Sequence, residues 1–319
     1  NKNSFMVSDG THEMPAELSG KFIFDAEDSL DFPTVGDWVS IQALDNYMFA
    51  IIHKVLPRKT LLKRKEPGKR IDFQLIAANI DFGLVVQSAE HPNFNLLDRY
   101  IVMLNDSGIE PIIVFSKTDL LSSSELDALK MDLLKTRNHF LLISNVAEGG
   151  VKALSDNLLP GKTYCLLGQS GVGKTSLLNS LLGADMFRVN EVREKDGKGK
   201  HTTVRRQLIY LDSGSVFIDT PGMRELGNFE IEAGLNLTFD DFSEYASRCR
   251  FRNCTHTHEE GCAIIEAVQK GIIEEDRFRN YLKLKKESAH YAMSYHEKRK
   301  KEKSFGKIIK NYKKYGNKN

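Results

Sequence analysis

The chain is short of the residues that build secreted scaffolds and membrane spans. Among its 319 residues are four cysteines, eight prolines and a single tryptophan. Three of the thiols crowd between positions 249 and 262, which suits a metal better than a spread disulfide framework. No apolar run reaches the roughly 18 residues of a membrane span, and Asn1-Lys-Asn-Ser carries neither a signal-peptide pattern nor an initiator Met. A soluble, cytoplasmic protein with a trimmed start and no membrane engagement is expected. Net charge is also scarce, +2, but unevenly spread. Residues 297–319 hold ten Lys/Arg against two Glu, while the rest of the chain, 35 basic against 41 acidic residues, is net −6. An acidic body with a basic tail points to a polyanionic partner at one end. With 41% hydrophobic residues and this length, about two to three domains are expected.

What is present is organised around residues 163–182. An apolar run, Tyr164 to Leu167, reads as a buried strand; it enters Gly168-Gln169-Ser170-Gly171-Val172-Gly173-Lys174-Thr175-Ser176, and a helix with Leu177, Leu178, Leu181 and Leu182 leaves it. Strand before and helix after are the setting a phosphate-binding loop requires. The glycines let successive N–H groups turn inward, and the helix adds its N-terminal partial charge to the same concavity. Lys174 is expected to reach the β- and γ-phosphates and Thr175 to ligate Mg²⁺.

Upstream, residues 20 to about 65 read as short strands without helices: Lys21–Phe24, Val35–Ile41, Tyr47–Ile52 and Thr60–Arg64. That spacing predicts a small barrel. Basic residues at one rim, Arg58, Lys59, Lys63, Arg64, Lys65, Lys69 and Arg70, suit either nucleic acid or a solvated loop. From about Gln74 strands alternate with helices. Strands at Ala78–Gln87, Pro111–Phe115 and Phe140–Ile143, with helices at Asn95–Leu104 and Ser124–Thr136, predict a parallel sheet covered on both faces. The second strand runs into Ser116-Lys117-Thr118-Asp119. Asp119 can accept two hydrogen bonds from guanine that adenine cannot donate, and Lys117 can lay its stem over the base. The third strand ends in Ser144-Asn145, where a backbone N–H can approach the guanine oxygen.

Beyond the loop lies a polar, glycine-bearing segment, Asn190–Arg206, containing His201 and Thr203. Thr203 is placed to give a second Mg²⁺ ligand when a γ-phosphate is present. A strand pair at Gln207–Leu211 and Ser215–Ile218 leads to Asp219-Thr-Pro-Gly222, an acid for Mg²⁺ followed by a glycine N–H for the γ-phosphate. The place after it, where a water-orienting Gln is common, is Met223. Further on, Cys249-x4-Cys254-x-His256-x5-Cys262 offers three thiolates and an imidazole, enough for a closed structural zinc site, with His258 as a rival for the imidazole place. Helices at Ala263–Gln269 and Asp276–Lys286 follow. The tail from Glu297 to Lys318 mixes Tyr312 and Tyr315 among cations, a pattern suited to RNA.

Together these segments resemble the TRAFAC-type GTPases, which read guanine through Asn-Lys-x-Asp and metal through Asp-x-x-Gly, but base recognition here precedes the phosphate loop. That is the order of a circularly permuted GTPase. Adding Val35-Gly-Asp-Trp38, Val55-Leu-Pro-Arg58, Ile76-Ala-Ala-Asn-Ile-Asp81, Gly199-Lys-His-Thr-Thr203 and the Cys/His cluster, the chain resembles the RsgA (YjeQ/YloQ) family over nearly its whole length. The resemblance implies an OB-fold barrel (1–72), a permuted α/β P-loop GTPase domain (73–228) and a helical zinc-binding domain with a basic tail (229–319). It implies a monomer that uses GTP/GDP, Mg²⁺ and one structural Zn²⁺. The partners it implies are the small (30S) ribosomal subunit and its 16S rRNA, in late assembly, with subunit-stimulated hydrolysis. It selects His256 over His258, and suggests His201 as the group that orients water, the alternative being a phosphate or RNA contact. Three departures stand out: Ser116 where many relatives have Asn or Thr, Glu260 where a Pro is frequent, and a first barrel strand expected to be largely missing. Two competing classes are an RNA-binding module with a vestigial nucleotide site and an ATP-using P-loop enzyme, which Asp119 disfavours.

Overall fold

The computed structural model describes residues 4–65, 73–135, 139–184, 207–219 and 231–292. The segment with His201 and Thr203, Gly222 and the basic tail lie outside the described residues, as does the side chain of Asp219. The chain divides into two compact units, Asn1–Lys63 with Gln74–Leu226, and Arg64–Phe73 with Gly227–Asn319.

The N-terminal region is strand-rich. Strands β1 (Ser4–Ser8), β2 (Glu13–Leu18), β3 (Val39–Leu44) and β4 (Phe49–Val55) form one sheet in the order β1-β2-β4-β3. β1/β2 and β3/β4 are antiparallel, whereas β2 and β4 run parallel. Met14, Ala16 and Leu18 alternate with exposed neighbours and bury against Ala50 and Ile52, joined by Phe5, Val7, Phe22 and Phe32. Thus residues 4–18 form a hairpin where the sequence analysis placed no strand. The signal was there as a period-2 pattern, Met-x-Ala-x-Leu.

A second correction concerns Lys21–Phe24, which is helical: helix α1 spans Gly20–Asp25. Ser19 Oγ accepts the Phe22 N–H at 3.1 Å, an N-cap that decides the conformation. A run of three apolar residues, Phe22 to Phe24, cannot by itself distinguish strand from helix. Likewise Thr34–Asp37 is a turn, and the following strand begins only at Val39.

Strand β5 (Leu61–Lys65) pairs with β6 (Phe73–Ala78), and β6 leads directly into the central sheet. That junction is fixed by polar bonds. Asn79, at φ 55°, donates from Nδ2 to Gly36 O at 2.9 Å and accepts the Lys59 N–H on Oδ1 at 2.8 Å. Gly36 sits at φ 90° so close to the junction that an added Cβ would lie 2.2 Å from Ala78 O, so no larger residue fits.

The central sheet contains β7 (Phe82–Ser88), β8 (Glu110–Ser116), β9 (Phe140–Leu142), β10 (Thr163–Leu167), β11 (Gln207–Tyr210) and β12 (Val216–Asp219), ordered β11-β12-β10-β7-β8-β9. All neighbours are parallel except β11/β12. Helix α2 (Phe94–Asp106) packs on β7 and β8, where Gly83 leaves room for Leu104. Helix α3 (Ser123–Lys135) precedes β9, and the short α4 (Lys152–Ser155) follows it. On the face bearing Leu84, Val86, Ile112 and Val114, helix α5 (Lys174–Leu182) buries Leu177 and Leu178 beside Tyr164 and Phe217. Phe82, Tyr164 and Phe217 stack across three strands with centroids 5.2 and 5.4 Å apart. Two-sided cover explains the near-continuous apolar strands.

The second unit holds α6 (Glu232–Thr238), α7 (Asp240–Ala246), α8 (Ala263–Gln269) and α9 (Glu275–Ala292). Phe239, Phe242, Phe278 and Tyr281 form its aromatic centre, and Arg277 lies over two of those rings while pairing with Asp241. No described helix is long and apolar enough to cross a membrane.

Arg58, one of the cations assigned above to a basic rim, is committed to the interior of the N-terminal region. It grips both oxygens of Asp37 at 2.8 Å and donates to Leu30 O and Phe32 O. Its side chain is 14% exposed and that of Asp37 only 1%. Removing one partner of a buried pair strands the other charge, at about 3–5 kcal/mol. Arg58→Ala is therefore expected to open residues 30–58 to amide hydrogen exchange and lower the urea midpoint of this region. Natural-like protection in that variant would show the pair to be dispensable.

Candidate nucleotide site and metal centre

Four parallel strands end on the same side of the sheet, and their carboxyl ends carry the polar residues. β7 ends at Ser88, β8 at Ser116, β10 runs into Gly168, and β9 is followed by Ser144-Asn145. Open parallel sheets bind ligands at this edge.

The loop after β10 has the conformation its glycines permit. Gly168, Gly171 and Gly173 have φ of 139°, 81° and 88°. A Cβ on Gly168 would lie 2.2 Å from Val86 O, so the loop can start only from glycine. Gln169, Ser170 and Gly171 are exposed at its tip, Val172 is buried beneath, and Lys174, Thr175 and Ser176 open α5 half-buried. Lys174 Nζ bridges the mouth, donating to Gly168 O at 2.7 Å and Gln169 O at 2.5 Å. The ammonium and the N-terminal turn of α5 thus face one concavity suited to phosphate oxygens. Tyr100 of α2, 1% exposed, bonds the Gly168 backbone, and burial pushes its hydroxyl up to about 12, so it stays neutral. Cys165 behind the loop is likewise inert, its thiol pushed up to about 12 by full burial.

The segments read as base recognition meet this loop. Ser116, fully buried, donates its one O–H to Val172 O at 2.6 Å, with Gln87 O a second acceptor 3.1 Å from Oγ. Lys117 takes the left-handed conformation, φ 60°, which turns the chain sharply out of the sheet. Thr118 Oγ1 donates to Ile143 O at 3.0 Å, tying the β8 end to the β9 end. Asp119 is exposed, and its Oδ1 accepts from Ser144 Oγ at 2.5 Å. Asn145 Nδ2 donates to Gly173 O at 3.2 Å. An unbroken run of contacts therefore leads from the Asp119 carboxylate through Ser144 and Asn145 to the residue before Lys174. Asp219 ends β12, directly after Ile218, which pairs with Cys165 of β10.

In the second unit, ligand atoms of Cys249, Cys254, His256 and Cys262 lie within 4.8 Å of one another. Cys249 Sγ and Cys262 Sγ are 3.9 Å apart, and His256 Nδ1 is 3.7 and 3.4 Å from them. A tetrahedral zinc with Zn–S near 2.3 Å and Zn–N near 2.0 Å would set these separations at about 3.8 and 3.5 Å. The donor set and spacing fit zinc. Burial, with Lys285 nearby, holds the His256 imidazole below its ordinary value, in the neutral form a ligand must have. His258 is exposed, its ring engaged by Thr257 Oγ1, and stands outside the cluster.

Sequence reasoning missed Glu259. Its carboxylate accepts from the N–H groups of Thr255, Thr257 and His258 and from Thr255 Oγ1, bracing the turn in which His256 takes φ 62°. A carboxylate two to four residues after two threonines was the available signal.

A family profile described as RsgA GTPase matches residues 55–229, and one described as 50S ribosome-binding GTPase matches residues 163–299. Small ribosomal subunit biogenesis GTPase RsgA 2 of Listeria monocytogenes is 42% identical over 265 residues, covering 83% of this chain and 75% of that one. The RsgA 1 protein of Bacteroides thetaiotaomicron is 38% identical over 305 residues, 93% of this chain and 84% of that one. Among solved structures, YjeQ from Thermotoga maritima superposes with a TM-score of 0.65 at 28% identity, over 90% of this chain and 94% of that one. YloQ, described as a circularly permuted GTPase, gives 0.64 at 26% identity, over 91% and 93%. The sheet order, in which the strand of the phosphate loop follows β7, β8 and β9 in sequence yet pairs with β7, on the far side of which β8 and β9 lie, accords with that description. With more than half its length matched by the profile, the chain belongs to the RsgA GTPase family.

Proposed function

We propose that the protein binds GTP at the carboxyl edge of its central sheet, hydrolyses it to GDP and phosphate, and does so on the small ribosomal subunit during assembly. The observation that carries this reading is the contact run from Asp119 to Lys174, which joins a guanine-reading carboxylate to a phosphate cradle. The subunit as partner rests on what the similar proteins are named for. That partner, its 16S rRNA and a cytoplasmic setting belong together.

Asp119 would read the N1–H and exocyclic amino group of guanine, held in plane by the Ser144 hydroxyl. Lys117 would cover the base, and the backbone N–H of Asn145 would approach its oxygen. Lys174 would release the Gly168 and Gln169 carbonyls for the β- and γ-phosphate oxygens, with the N–H groups of residues 169 to 176 completing the cradle. Mg²⁺, when bound on Thr175 with Thr203 and Asp219, would neutralise charge that develops between the phosphates. Attack is by water in line with the bond to the leaving GDP, and Met223 supplies no hydrogen bond to orient it. Slow turnover of the isolated protein follows, with His201 as the residue that would orient water once the subunit is engaged.

Cys249, Cys254, His256 and Cys262 would hold one zinc with no position left for water, a structural role. The site would brace the loop between α7 and α8.

Two outcomes test these assignments. GDP is expected to bind at least about tenfold tighter than ADP, since a lost bidentate contact is worth more than 1.4 kcal/mol. Hydrolysis is expected to rise with purified small subunits and not with large ones; equal affinity for ADP, or no stimulation, would remove the guanine or the ribosomal part respectively. For the metal, elemental analysis should return one zinc per chain. Stripping it with a chelator should expose the three thiols to a colorimetric reagent and lower helical ellipticity. Thiols equally reactive before and after chelation would rule the site out.

A further inference from the structure

We infer that the side chain of Asn145 is a positioning residue for the phosphate loop, sharing with Ser116 the task of holding the two carbonyls that immediately precede Lys174. The inference rests on the nucleotide reading above and adds a residue role to it.

The geometry is a division of labour. Ser116 Oγ holds Val172 O at 2.6 Å, and Asn145 Nδ2 holds the next carbonyl, Gly173 O, at 3.2 Å. Gly173 O also receives the first helical N–H of α5, from Leu177 at 2.8 Å. The Asn145 amide therefore sets the carbonyl that starts the helix bearing Lys174 and Thr175. The N-cap of α5 is Gly173, which has no side chain of its own to cap with, and the Asn145 contact comes from outside the helix. Because the acceptor is a carbonyl, the amide nitrogen must face it, and Oδ1 points away, buried and without a partner. An enclosed amide oxygen left without a partner costs about 1–3 kcal/mol, here on a residue that is half-buried as a whole. The end that is satisfied is the one on the loop.

Ser144 and Asn145 also work in opposite directions. Ser144 Oγ grips Asp119, while Asn145 grips Gly173, so adjacent side chains fix the base reader and the phosphate cradle to the same turn. Their backbone is itself held, Ser144 N donating to Gly150 O at 3.1 Å.

Position 116 explains why an amide is needed at 145. The Ser116 side chain is short and reaches only the nearer carbonyl. A Cβ placed on Gly173 would meet Asn145 Nδ2 at 2.8 Å and Ser116 Oγ at 3.9 Å, so both side chains converge on one small volume beside the loop. An amide at 116 would have to share that volume with Asn145.

The test is a swap read by titration of a fluorescent GDP analogue. Asn145→Asp, equal in volume but lacking the donor, is expected to weaken binding roughly 5- to 20-fold, the range for losing one partly buried hydrogen bond and placing a carboxylate against a carbonyl. Ser116→Asn alone is expected to weaken it by crowding, and the double variant Ser116→Asn, Asn145→Ala to return within about threefold of the natural protein. That recovery is the readout a merely structural residue would not give. Binding unchanged in Asn145→Asp would overturn the proposal, and so would a double variant as weak as its single losses combined. A natural protein that binds no GDP analogue at all would instead sink the nucleotide reading itself.

Discussion

Parallel pairing of Thr163–Leu167 with Phe82–Ser88 is the constraint on which the site depends. It brings Cys165 level with Gly83 and Leu167 level with Val85, so Gly168 emerges where β7 and β8 are about to end. In an open parallel sheet the ligand-binding edge is defined by which strands are neighbours, and chain order does not enter. The carboxyl ends of β7, β8, β9 and β10 therefore meet although the loop lies some fifty residues downstream of Ser116. Permutation changes the connections at the opposite edge and leaves the meeting point intact. Asp81, which takes the Thr163 N–H and pairs with Lys162 at 2.9 Å each, fixes the start of β10 against the start of β7 and with it the register.

The N-terminal region is joined to this sheet with little freedom. β6 passes into β7 through Asn79 and Asp81, and Asn79 is bonded both to Gly36 and to Lys59. Thr34 Oγ1 donates to Ile76 O, and Thr60 Oγ1 to Ile80 O. Each bond satisfies a backbone group that a water-filled hinge would otherwise solvate. A surface contacted by the strand-rich region is therefore registered against the carboxyl edge of the central sheet through a short polar seam. The buried Arg58–Asp37 pair holds the turn that contains Gly36 from the other side.

Much of this was legible because the sequence is locally consistent with its fold. The phosphate loop carried its own context, apolar run, glycines and amphipathic helix, and the metal cluster announced itself by ligand type and spacing. Legibility failed where tertiary contacts decide. Lys21–Phe24 reads as a strand by composition, yet an N-cap at Ser19 and the packing of half-buried Phe22 on the sheet make it a helix. Arg58 reads as a surface cation, but its role follows from a carboxylate 21 residues away that no local pattern connects to it. Ser116 reads as a weakened motif position, and only the folded loop shows its hydroxyl on Val172 O. Glu259 offers only a weak local signal, a carboxylate after two threonines, and its role follows from a turn that holds His256 at positive φ.

The buried polar atoms argue the same point from energetics. Among the described residues two buried side-chain oxygens lack a hydrogen-bond partner, Ser88 Oγ and Asn145 Oδ1. Both belong to the carboxyl edge: Ser88 ends β7 in register with Ser116, and Asn145 follows β9 against the loop. Folding that served stability alone would remove such groups, since an apolar replacement of similar shape avoids their desolvation penalty. They persist where the chain also keeps Lys117 in a left-handed conformation and Gly168 pressed onto Val86 O. Strain and unsatisfied polarity concentrated on one strip of an otherwise well-packed sheet are what a surface shaped for a ligand looks like, because the groups that complete it arrive with the ligand.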